Sequence, residues 1–459
     1  MKRYSKNIFS ITGIALLTCL FWWGCAGRKN MRYPGPSLMP NTERNMKVAA
    51  FWISLLPDPD KVILDSQGIG KFNKTIKNEL KLLNDIENYP SVISSAKFKG
   101  EITKTLKRFK RRKYYAKSNE KIDKKLLKDI EDNISLKNIQ ENVNVSFGLV
   151  SRYAHQRLLP TREEFYSKKD DFDFDVLQNN SLDVGTPVAI LHKSADSQWI
   201  YVDGPSSSGW TEIENIALSS REQMKQYVNG QPFAVISKTK ASIFLKNTLT
   251  EYYDYVRMGT RLPMGKKTSI KVVPVIIPFR NEDGKVVFGE GYIKENEINE
   301  GYFSYTPRNV IQQSFEMLDM PYGWGGMNGE QDCSGFIQQI FMTIGIYMPK
   351  NSLEQSWVGK LLEKFNKKTS YAEKIEILDK KAVGGATILY LNGHVMLFLG
   401  VIDNIPYVIH GIYGYHEEGS SSEAVRVINR VVVSDLSLGE GSKKGSLLKR
   451  LSVVRLVAE

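Results

Sequence analysis

The chain has 459 residues, of which 42% are hydrophobic and 11% aromatic. This composition is typical of a globular protein and excludes a largely disordered one, and the length predicts two to four domains. The formal charge of +13 favours an anionic partner, but it does not distinguish nucleic acid, lipid headgroups and cell-wall polymer.

Residues 1–25 have the parts of a secretory signal peptide. Three of the first six residues are cations, and an apolar run follows over residues 8–23. This run is short for a membrane-spanning helix, which needs about twenty residues. Gly24 and Cys25 at its end resemble the lipobox of bacterial lipoproteins. The resemblance implies that Cys25 is acylated and anchors the protein to a membrane.

Two neighbours of Cys25 bear on this expectation. Trp22 stands where the lipobox usually has leucine, so ordinary cleavage and an uncleaved anchor stay open alternatives. Ala26 after the cysteine resembles the sorting pattern for the outer membrane, facing the periplasm. Without the signal and the lipidated residue, Cys333 is the one remaining thiol, which excludes a disulfide framework.

The next part of the chain is predicted to be a tether followed by helices. Residues 26–45 are polar with proline and glycine, as in linkers. Residues 46–142 are rich in lysine and glutamate and predict a helical domain, since apolar residues recur at helical spacing over 71–86. We interpret the basic run 104–117 as a solvated helix face; contact with anionic envelope polymers is the alternative, and nucleic acid is not an expected partner.

Short alternating strands separated by turn residues then predict β structure. Residues 143–228 resemble a bacterial SH3-type barrel, because Gly185, Trp199 and Trp210 are spaced as in that family. Residues 229–300 predict a second SH3-like barrel. Such small barrels commonly bind or position other groups, so they leave the function open.

Residues 301–459 predict an α+β domain with a helix that begins at Cys333. Asp332 is the expected N-cap, and a glycine-rich turn precedes it. A helix start lowers the pKa of a thiol. A single thiol in an oxidising compartment is a liability, so we interpret Cys333 as a nucleophile rather than as a small buried hydrophobe.

A nucleophilic thiol needs a base and a residue that orients the base. Of five histidines in the chain, His394 and His410 lie on adjacent predicted strands after Cys333. A hairpin that turns near Ile402 would place them opposite each other, with Cβ atoms about 5 Å apart, whereas a one-residue slip would separate their faces. His416 is the alternative partner. No residues have the spacing of zinc ligands, so neither a metal nor another cofactor is expected.

The stretches PYGWGG, DCSGF, GHVMLFLG and YVIHG resemble the NlpC-type cysteine peptidases, papain-like enzymes also named after a sixty-kilodalton secreted cell-wall protein. The resemblance implies that Cys333 is the nucleophile, His394 the general base and His410 the orienting residue. These enzymes cut peptidoglycan stem peptides, usually between γ-D-glutamyl and the diamino acid.

The same resemblance implies three substrate-binding residues. Tyr322 matches a tyrosine near the oxyanion site, and Asp332 and Ser334 match residues that touch the L-Ala-γ-D-Glu part of the substrate. PKNSLEQS matches a family segment, with Lys350 in place of arginine, while the usual P-G-D-L before the base histidine is missing.

The expected fold is therefore multidomain: a helical N-terminal segment, two small all-β SH3-like barrels and a C-terminal α+β papain-like peptidase domain. The expected function is that of a monomeric cell-wall endopeptidase. A non-catalytic cell-wall binding protein and an amidase or acyltransferase on the same scaffold are the alternatives. This layout resembles a lipoprotein subgroup of the family, and the resemblance implies that residues 46–142 are a clip-like domain that braces the barrels. It also implies that the first barrel walls one end of the site, for which residues 157–166, with Glu163, Glu164 and Tyr166, are the candidates.

Overall fold

The computed structural model describes residues 37–266, 271–419 and 425–458. Cys25, the rest of the predicted signal and residues 26–36 of the predicted tether lie outside these ranges. No described helix combines the length and apolar character needed to cross a bilayer.

The last residues of the predicted tether are docked rather than free. Met39 is buried in the core of the C-terminal domain. The Asn41 side-chain amide donates to the Asp435 carboxylate at 2.8 Å, and the Tyr407 hydroxyl donates to the Asn41 carbonyl at 3.0 Å. Residues 39–45 therefore belong to the folded body.

The following segment is mainly helical, as predicted. Its helices are α1 (Ala49–Ser54), α2 (Ser66–Lys74), α3 (Ala96–Arg111) and α4 (Lys124–Ile134). A π-helical turn, Thr75–Glu79, continues α2. The Asp65 and Asp123 side chains each accept a backbone N–H in the first turn of α2 and α4, the usual role of an N-cap.

This helical segment is divided between two cores. Trp52, Phe72 and Ile76 pack with apolar residues of the C-terminal domain. The apolar faces of α3 and α4 pack instead against the first barrel. The segment 46–142 therefore connects the C-terminal domain to the first barrel and does not enclose a core of its own among the described residues.

The first barrel is an antiparallel sheet that follows a short pair, β1 (Val92–Ser94) and β2 (Asn142–Asn144). Its strands run in the order β5-β4-β8-β7-β6-β3-β9. They are β3 (Ser146–Val150), β4 (Ala154–Arg157), β5 (Gln178–Leu182), β6 (Pro187–Lys193), β7 (Trp199–Asp203), β8 (Ser208–Glu212) and β9 (Ile216–Ser219). Helix α5 (Arg221–Val228) follows. Residues 158–177 form a long β4–β5 loop.

The second barrel combines a three-stranded sheet, β13-β10-β16, with a four-stranded sheet, β12-β11-β15-β14. The strands are β10 (Phe233–Ile236), β11 (Lys240–Phe244), β12 (Tyr252–Arg257), β13 (Arg261–Pro263), β14 (Val272–Arg280), β15 (Val286–Lys294) and β16 (Ile298–Glu300). Val273, Val275 and Ile277 are fully buried, which is the period of two expected for one face of a strand.

The C-terminal domain is a six-stranded antiparallel sheet between two layers of helices. Its strands, in the order β17-β22-β18-β19-β20-β21, are β17 (Lys360–Lys364), β18 (Thr387–Leu391), β19 (His394–Ile402), β20 (Ile405–Tyr415), β21 (Arg426–Asp435) and β22 (Val453–Leu456). Its helices are α6 (Pro307–Glu316), α7 (Cys333–Met342), α8 (Ser352–Gln355), α9 (Tyr371–Lys381) and α10 (Leu447–Arg450).

The two faces of this sheet are both buried. Val395 and Leu397 of β19 pack in the core that contains α6 and α7. Met396 and Phe398 pack in the core that contains α9 and α10. Because successive residues of a strand point to opposite faces, β19 is apolar along its length, and its first residue, His394, lies at the end of the sheet near α7.

Candidate active site

Cys333 is the first residue of α7, and its side chain is buried. Asp332 is the N-cap, as predicted, since its Oδ1 accepts the Gly335 N–H at 2.8 Å. The backbone N–H groups of Ser334 and Val395 donate towards the sulfur. These donors favour the thiolate over the thiol.

The thiol lies where β19 and β20 separate. The hydrogen-bonded ladder between the two strands ends at the pair Leu397–Ile409, which leaves the Val395 N–H to face the sulfur. Gly411 of β20 lies beside the start of α7, since a Cβ on it would be 3.7 Å from the Cys333 nitrogen. The helix start therefore reaches the gap between the two strands that carry the histidines.

His394 and His410 are in direct contact. The Nε2 atom of His394 lies 2.7 Å from the Nδ1 atom of His410, and the two rings meet edge to face at 4.9 Å between centroids. The remaining nitrogen of His394, Nδ1, is therefore the one available to exchange a proton with a substrate or a thiol. The structure thus brings the two predicted histidines together.

The hairpin register differs from the predicted one. Its turn is at residues 403–404 and not at Ile402. Both residues have positive φ, as expected for a two-residue turn of a β-hairpin. The ladder near its end would place His394 opposite Ile412, so the predicted direct pairing with His410 is wrong. The offset is two residues, which keeps both rings on one face, and they meet diagonally.

Burial shifts the pKa values of Cys333, His394 and His410. It raises the pKa of Cys333 to about 12, with a further contribution from the Asp332 carboxylate. It lowers the pKa of His394 to about 4, with a further contribution from Arg450, and lowers the pKa of His410 well below its ordinary value. The lowering of the thiol pKa expected at a helix start is thus outweighed by burial. These shifts favour a neutral thiol and neutral imidazoles in the resting site.

Tyr322 lies beside the thiol. Its backbone N–H donates to the Asn429 carbonyl at 3.1 Å, and it forms a β-bridge with Gln331. Its pKa is raised, first by burial and then by the charges of the Cys333 thiolate, when it forms, and of the Asp332 carboxylate. A neutral hydroxyl beside the sulfur can donate to an oxyanion; that role stays a prediction.

Asp332 and Ser334 are bonded to each other. The Ser334 hydroxyl donates to Asp332 Oδ1 at 2.8 Å, and Asp332 Oδ2 accepts the Gly325 N–H at 3.3 Å. The Ser334 carbonyl accepts from Gln355 at 2.9 Å, which ties α8 to the start of α7. Both residues therefore shape the helix start, and their contact with substrate stays a prediction.

The glycine-rich turn, residues 323–329, is wedged against the first barrel. The Tyr153 hydroxyl donates to the Gly326 carbonyl at 2.7 Å. Gly326 has a φ of +86°, and a Cβ on it would lie 2.0 Å from the Ser181 hydroxyl oxygen. Glycine is required there both by the positive φ and by the close approach of β5.

The second barrel contacts the other end of this turn. A Cβ on Gly329, whose φ is +70°, would lie 2.5 Å from the Tyr255 hydroxyl oxygen. Lys240 forms an ion pair with Glu330 at 2.5 Å. The turn that precedes Cys333 is therefore fixed between two barrels.

A wall of the site comes from residues 173–174 of the β4–β5 loop, whereas the expectation from the sequence is the first part of the same loop, at residues 157–166. The Phe174 ring packs edge to face on Tyr413 at 4.6 Å and on Trp324 at 5.5 Å, and lies 6.5 Å from Tyr322. Asp173 accepts a hydrogen bond from the Tyr413 hydroxyl at 2.9 Å. The only signal in the sequence is the alternation of Asp and Phe in DDFDFDV.

The candidates in residues 157–166 lie elsewhere. Tyr166 is buried and donates to Glu164 at 2.8 Å. Glu164 pairs with Lys117 of the helical segment at 3.5 Å. These side chains attach the loop to the helices, so the expected wall is formed instead by residues 173–174.

No group of three or more His, Cys, Asp or Glu side chains among the described residues is arranged to hold a metal ion. His416, the alternative partner, has no hydrogen-bond partner at Nδ1, and His410 occupies the place beside His394.

Known proteins match both parts of this architecture. Residues 319–419 match the NlpC/P60 family, and residues 164–212 match the SH3 domain of SH3b1 type. A γ-D-glutamyl-L-lysine dipeptidyl-peptidase from Bacillus subtilis (strain 168) is 30% identical over 101 residues, which are 21% of this chain and 34% of the relative. Its namesake from Bacillus cereus (strain ATCC 10987 / NRS 248) is 25% identical over 197 residues, 39% of this chain and 55% of the relative.

The chain thus spans about a third to about half of the length of these curated relatives. The solved structure of an NlpC/P60 endopeptidase from Photobacterium damselae subsp. piscicida has a TM-score of 0.73 and 19% identity, and the match covers 90% of this chain and 97% of that one. At this identity the likeness shows the fold alone, and it confirms the predicted multidomain class. Residues 319–419 are therefore a domain of the NlpC/P60 family, and an SH3 domain of SH3b1 type precedes them in the chain.

Proposed function

We propose that this protein is a cell-wall hydrolase, a cysteine endopeptidase that cleaves peptidoglycan stem peptides between γ-D-glutamyl and the diamino acid. The contact between His394 Nε2 and His410 Nδ1 beside a helix-start thiol carries the proposal. It leaves His394 Nδ1 as the base for Cys333. The two Bacillus relatives are γ-D-glutamyl-L-lysine dipeptidyl-peptidases by name, which supports the γ-D-glutamyl bond.

Acylation begins from the neutral thiol. The Cys333 sulfur attacks the γ-carbonyl carbon of D-Glu while its proton passes to His394 Nδ1. The carbonyl oxygen becomes an oxyanion, to which the Tyr322 hydroxyl donates. The C–N bond then breaks as His394 gives the proton to the leaving amine of the diamino acid, and a thioester to Cys333 remains.

Deacylation returns the enzyme to its starting state. A water molecule loses a proton to His394 Nδ1 and attacks the thioester carbon. The C–S bond breaks, the sulfur takes the proton back from His394, and a γ-carboxyl group is released. His410 holds the ring of His394 during both half-reactions.

The β4–β5 loop suits a substrate with a free N-terminus. Asp173 and Asp171 lie in this loop, Asp173 next to Phe174 and bonded to Tyr413. The pKa of Asp171 is raised, first by partial burial and also by Asp173, against the opposing charge of Lys168. Carboxylates at one end of a groove favour an ammonium group there, so a released L-Ala-γ-D-Glu-diamino acid peptide is the proposed substrate rather than intact wall.

Digestion of free stem peptides and of purified peptidoglycan, followed by mass spectrometry, tests the proposal. We expect new γ-D-Glu C-termini from the free peptides, a loss of at least about 10³-fold in rate in Cys333→Ala, and weaker cleavage of N-acetylated peptides. Ser314→Ala, which removes a buried hydroxyl bonded to the Ile311 carbonyl, is the control and retains activity.

The same experiment separates the alternatives. Cleavage of the lactyl–L-Ala junction would identify an amidase. The absence of products, with Cys333→Ala indistinguishable from the wild type in peptidoglycan binding, would identify a non-catalytic wall-binding protein.

We further propose that Cys25 is lipidated and holds the protein, as a monomer, at the outer membrane facing the periplasm. The Gly24-Cys25-Ala26 sequence after the apolar run supports this. Metabolic labelling with a fatty acid and fractionation of the envelope test it, with Cys25→Ala expected to lose both the label and the membrane association.

A further inference from the structure

His410 has a partner on the side away from His394. Its Nε2 atom lies 3.0 Å from the hydroxyl oxygen of Ser434 on β21. Both side chains are fully buried. In the ladder, His410 pairs with Val432 and Val408 pairs with Ser434, so the hydroxyl approaches the ring diagonally from the same face.

The Ser434 hydroxyl has a second contact, which offers its proton an acceptor other than His410. Its oxygen lies 3.1 Å from the Asp435 carbonyl oxygen, to which it donates. A hydroxyl has one proton, and a carbonyl oxygen can only accept. With its proton directed to Asp435, the Ser434 oxygen accepts the hydrogen bond from His410 Nε2–H.

The position of Asp435 is itself fixed. Its carboxylate accepts hydrogen bonds from Asn41 at 2.8 Å and from the Ser437 hydroxyl at 2.9 Å. Asp435 is 1% exposed. The carbonyl that receives the Ser434 proton therefore lies in a rigid, buried environment to which the docked residues 39–45 contribute.

The direction of this hydrogen bond determines the tautomers of both histidines. A neutral His410 with its proton on Nε2 has a lone pair on Nδ1, which accepts from His394 Nε2–H. A neutral His394 with its proton on Nε2 has a lone pair on Nδ1. This is the state in which His394 can take the proton of Cys333.

We propose that Ser434 is a positioning residue that selects the tautomer of His410 and, through it, of His394. The inference rests on the proposed function, because the selected tautomer is the one that general-base attack by Cys333 requires. Without the Ser434 oxygen, His410 Nε2–H has no acceptor in its buried site, and the opposite tautomer becomes competitive. In that tautomer, His410 Nδ1–H donates to His394 Nε2. The proton of His394 is then on its Nδ1 atom, which can no longer act as the base for Cys333.

The test combines kinetics with nitrogen-15 NMR of the histidine rings in the full chain. In the wild type we expect protonated Nε2 and unprotonated Nδ1 signals for both residues. In Ser434→Ala we expect the His410 signals to shift towards the Nδ1-protonated form, and kcat/KM to fall by about 10- to 100-fold. Ser434→Thr keeps the hydroxyl and restores both readouts.

Ser314→Ala is the matched control, since it removes another fully buried hydroxyl that donates to a backbone carbonyl; it leaves the ring signals and kcat/KM unchanged. Unchanged His410 signals in Ser434→Ala would overturn the proposal, as would a folded Ser434→Thr that does not recover them. The NMR readout needs no turnover, so it remains decisive if the proposed peptidase activity fails.

Discussion

The two barrels touch the same glycine-rich turn but contribute differently to the site. The first barrel reaches the groove itself, where Phe174 packs on Tyr413 and Trp324. The second barrel packs behind the C-terminal domain: a Cβ on Gly259 would lie 2.7 Å from the Gln339 carbonyl of α7. Among the described contacts, the second barrel supports the helix that carries the thiol, and the first forms a wall.

The first barrel is therefore placed to select the substrate, whereas the second barrel supports the helix that carries Cys333. Side chains of a wall can change without loss of the fold, because they lie on a loop over a rigid scaffold. Contacts behind a catalytic helix change its position and so affect every substrate alike. Variants of the two barrels should therefore differ in kinetic signature as well as in size of effect.

The largest effect is expected for Gly326→Ala compared with Gly329→Ala. Both glycines have positive φ and a close barrel neighbour, so each variant should lose about 1–3 kcal/mol of unfolding free energy. Gly326 faces the first barrel beside the groove, and its displacement moves Trp324. We expect Gly326→Ala to lower kcat/KM at least about tenfold more than Gly329→Ala at equal stability.

Chemical denaturation and steady-state kinetics measure this pair. Ser181→Ala in the Gly326→Ala background removes the nearest atom, the hydroxyl oxygen at 2.0 Å, and should recover part of the loss. Equal losses of kcat/KM in the two single variants would mean that the turn, and not the first barrel, determines the shape of the groove.

Acid should destabilise the C-terminal domain, because it contains the buried His394. The second barrel, residues 229–300, contains no histidine. The folded pKa of His394 is about 4 because of burial, and its unfolded value is about 6.5. The unfolded chain therefore binds more protons below pH 6.5, and stability is fully present above that pH and lost towards pH 4. His394 alone predicts a free energy of unfolding about 2 kcal/mol lower at pH 5 than at pH 7.5.

Denaturation with urea at the two pH values checks this expectation. His394→Gln removes the titrating group and should flatten the dependence on pH. A slope that stays unchanged in His394→Gln would show that His394 is not the source.

The smallest effect is expected for Phe174→Ala. Loss of its two edge-to-face contacts opens the wall, and aromatic pairs contribute about 0.5–1.5 kcal/mol. We expect KM for the free stem peptide to rise about tenfold or less, with little change in kcat. Tyr252→Ala, an exposed aromatic of the second barrel that contacts Phe244, is the control with unchanged KM. A fall in kcat alone would contradict a role in selection.

Local patterns predicted much of the catalytic domain. Asp332 caps α7 and Cys333 begins it because an N-cap side chain followed by apolar residues at helical spacing is a local signal. The two histidines were placed on one face because strands alternate with a period of two. The predicted register was wrong by two residues, since the turn at residues 403–404 depends on two positive φ angles that no single residue type there imposes.

Short-range periodicity and capping are enough to predict the class of each domain, the thiol at a helix start and the two histidines that accompany it. Three further features come from packing in the folded chain. Burial raises the pKa of the thiol, against the local expectation for a helix start. The other two are the wall at residues 173–174 and the hydrogen bond between His410 and Ser434. Each of these depends on residues far apart in the chain, whose approach is set by packing and not by spacing.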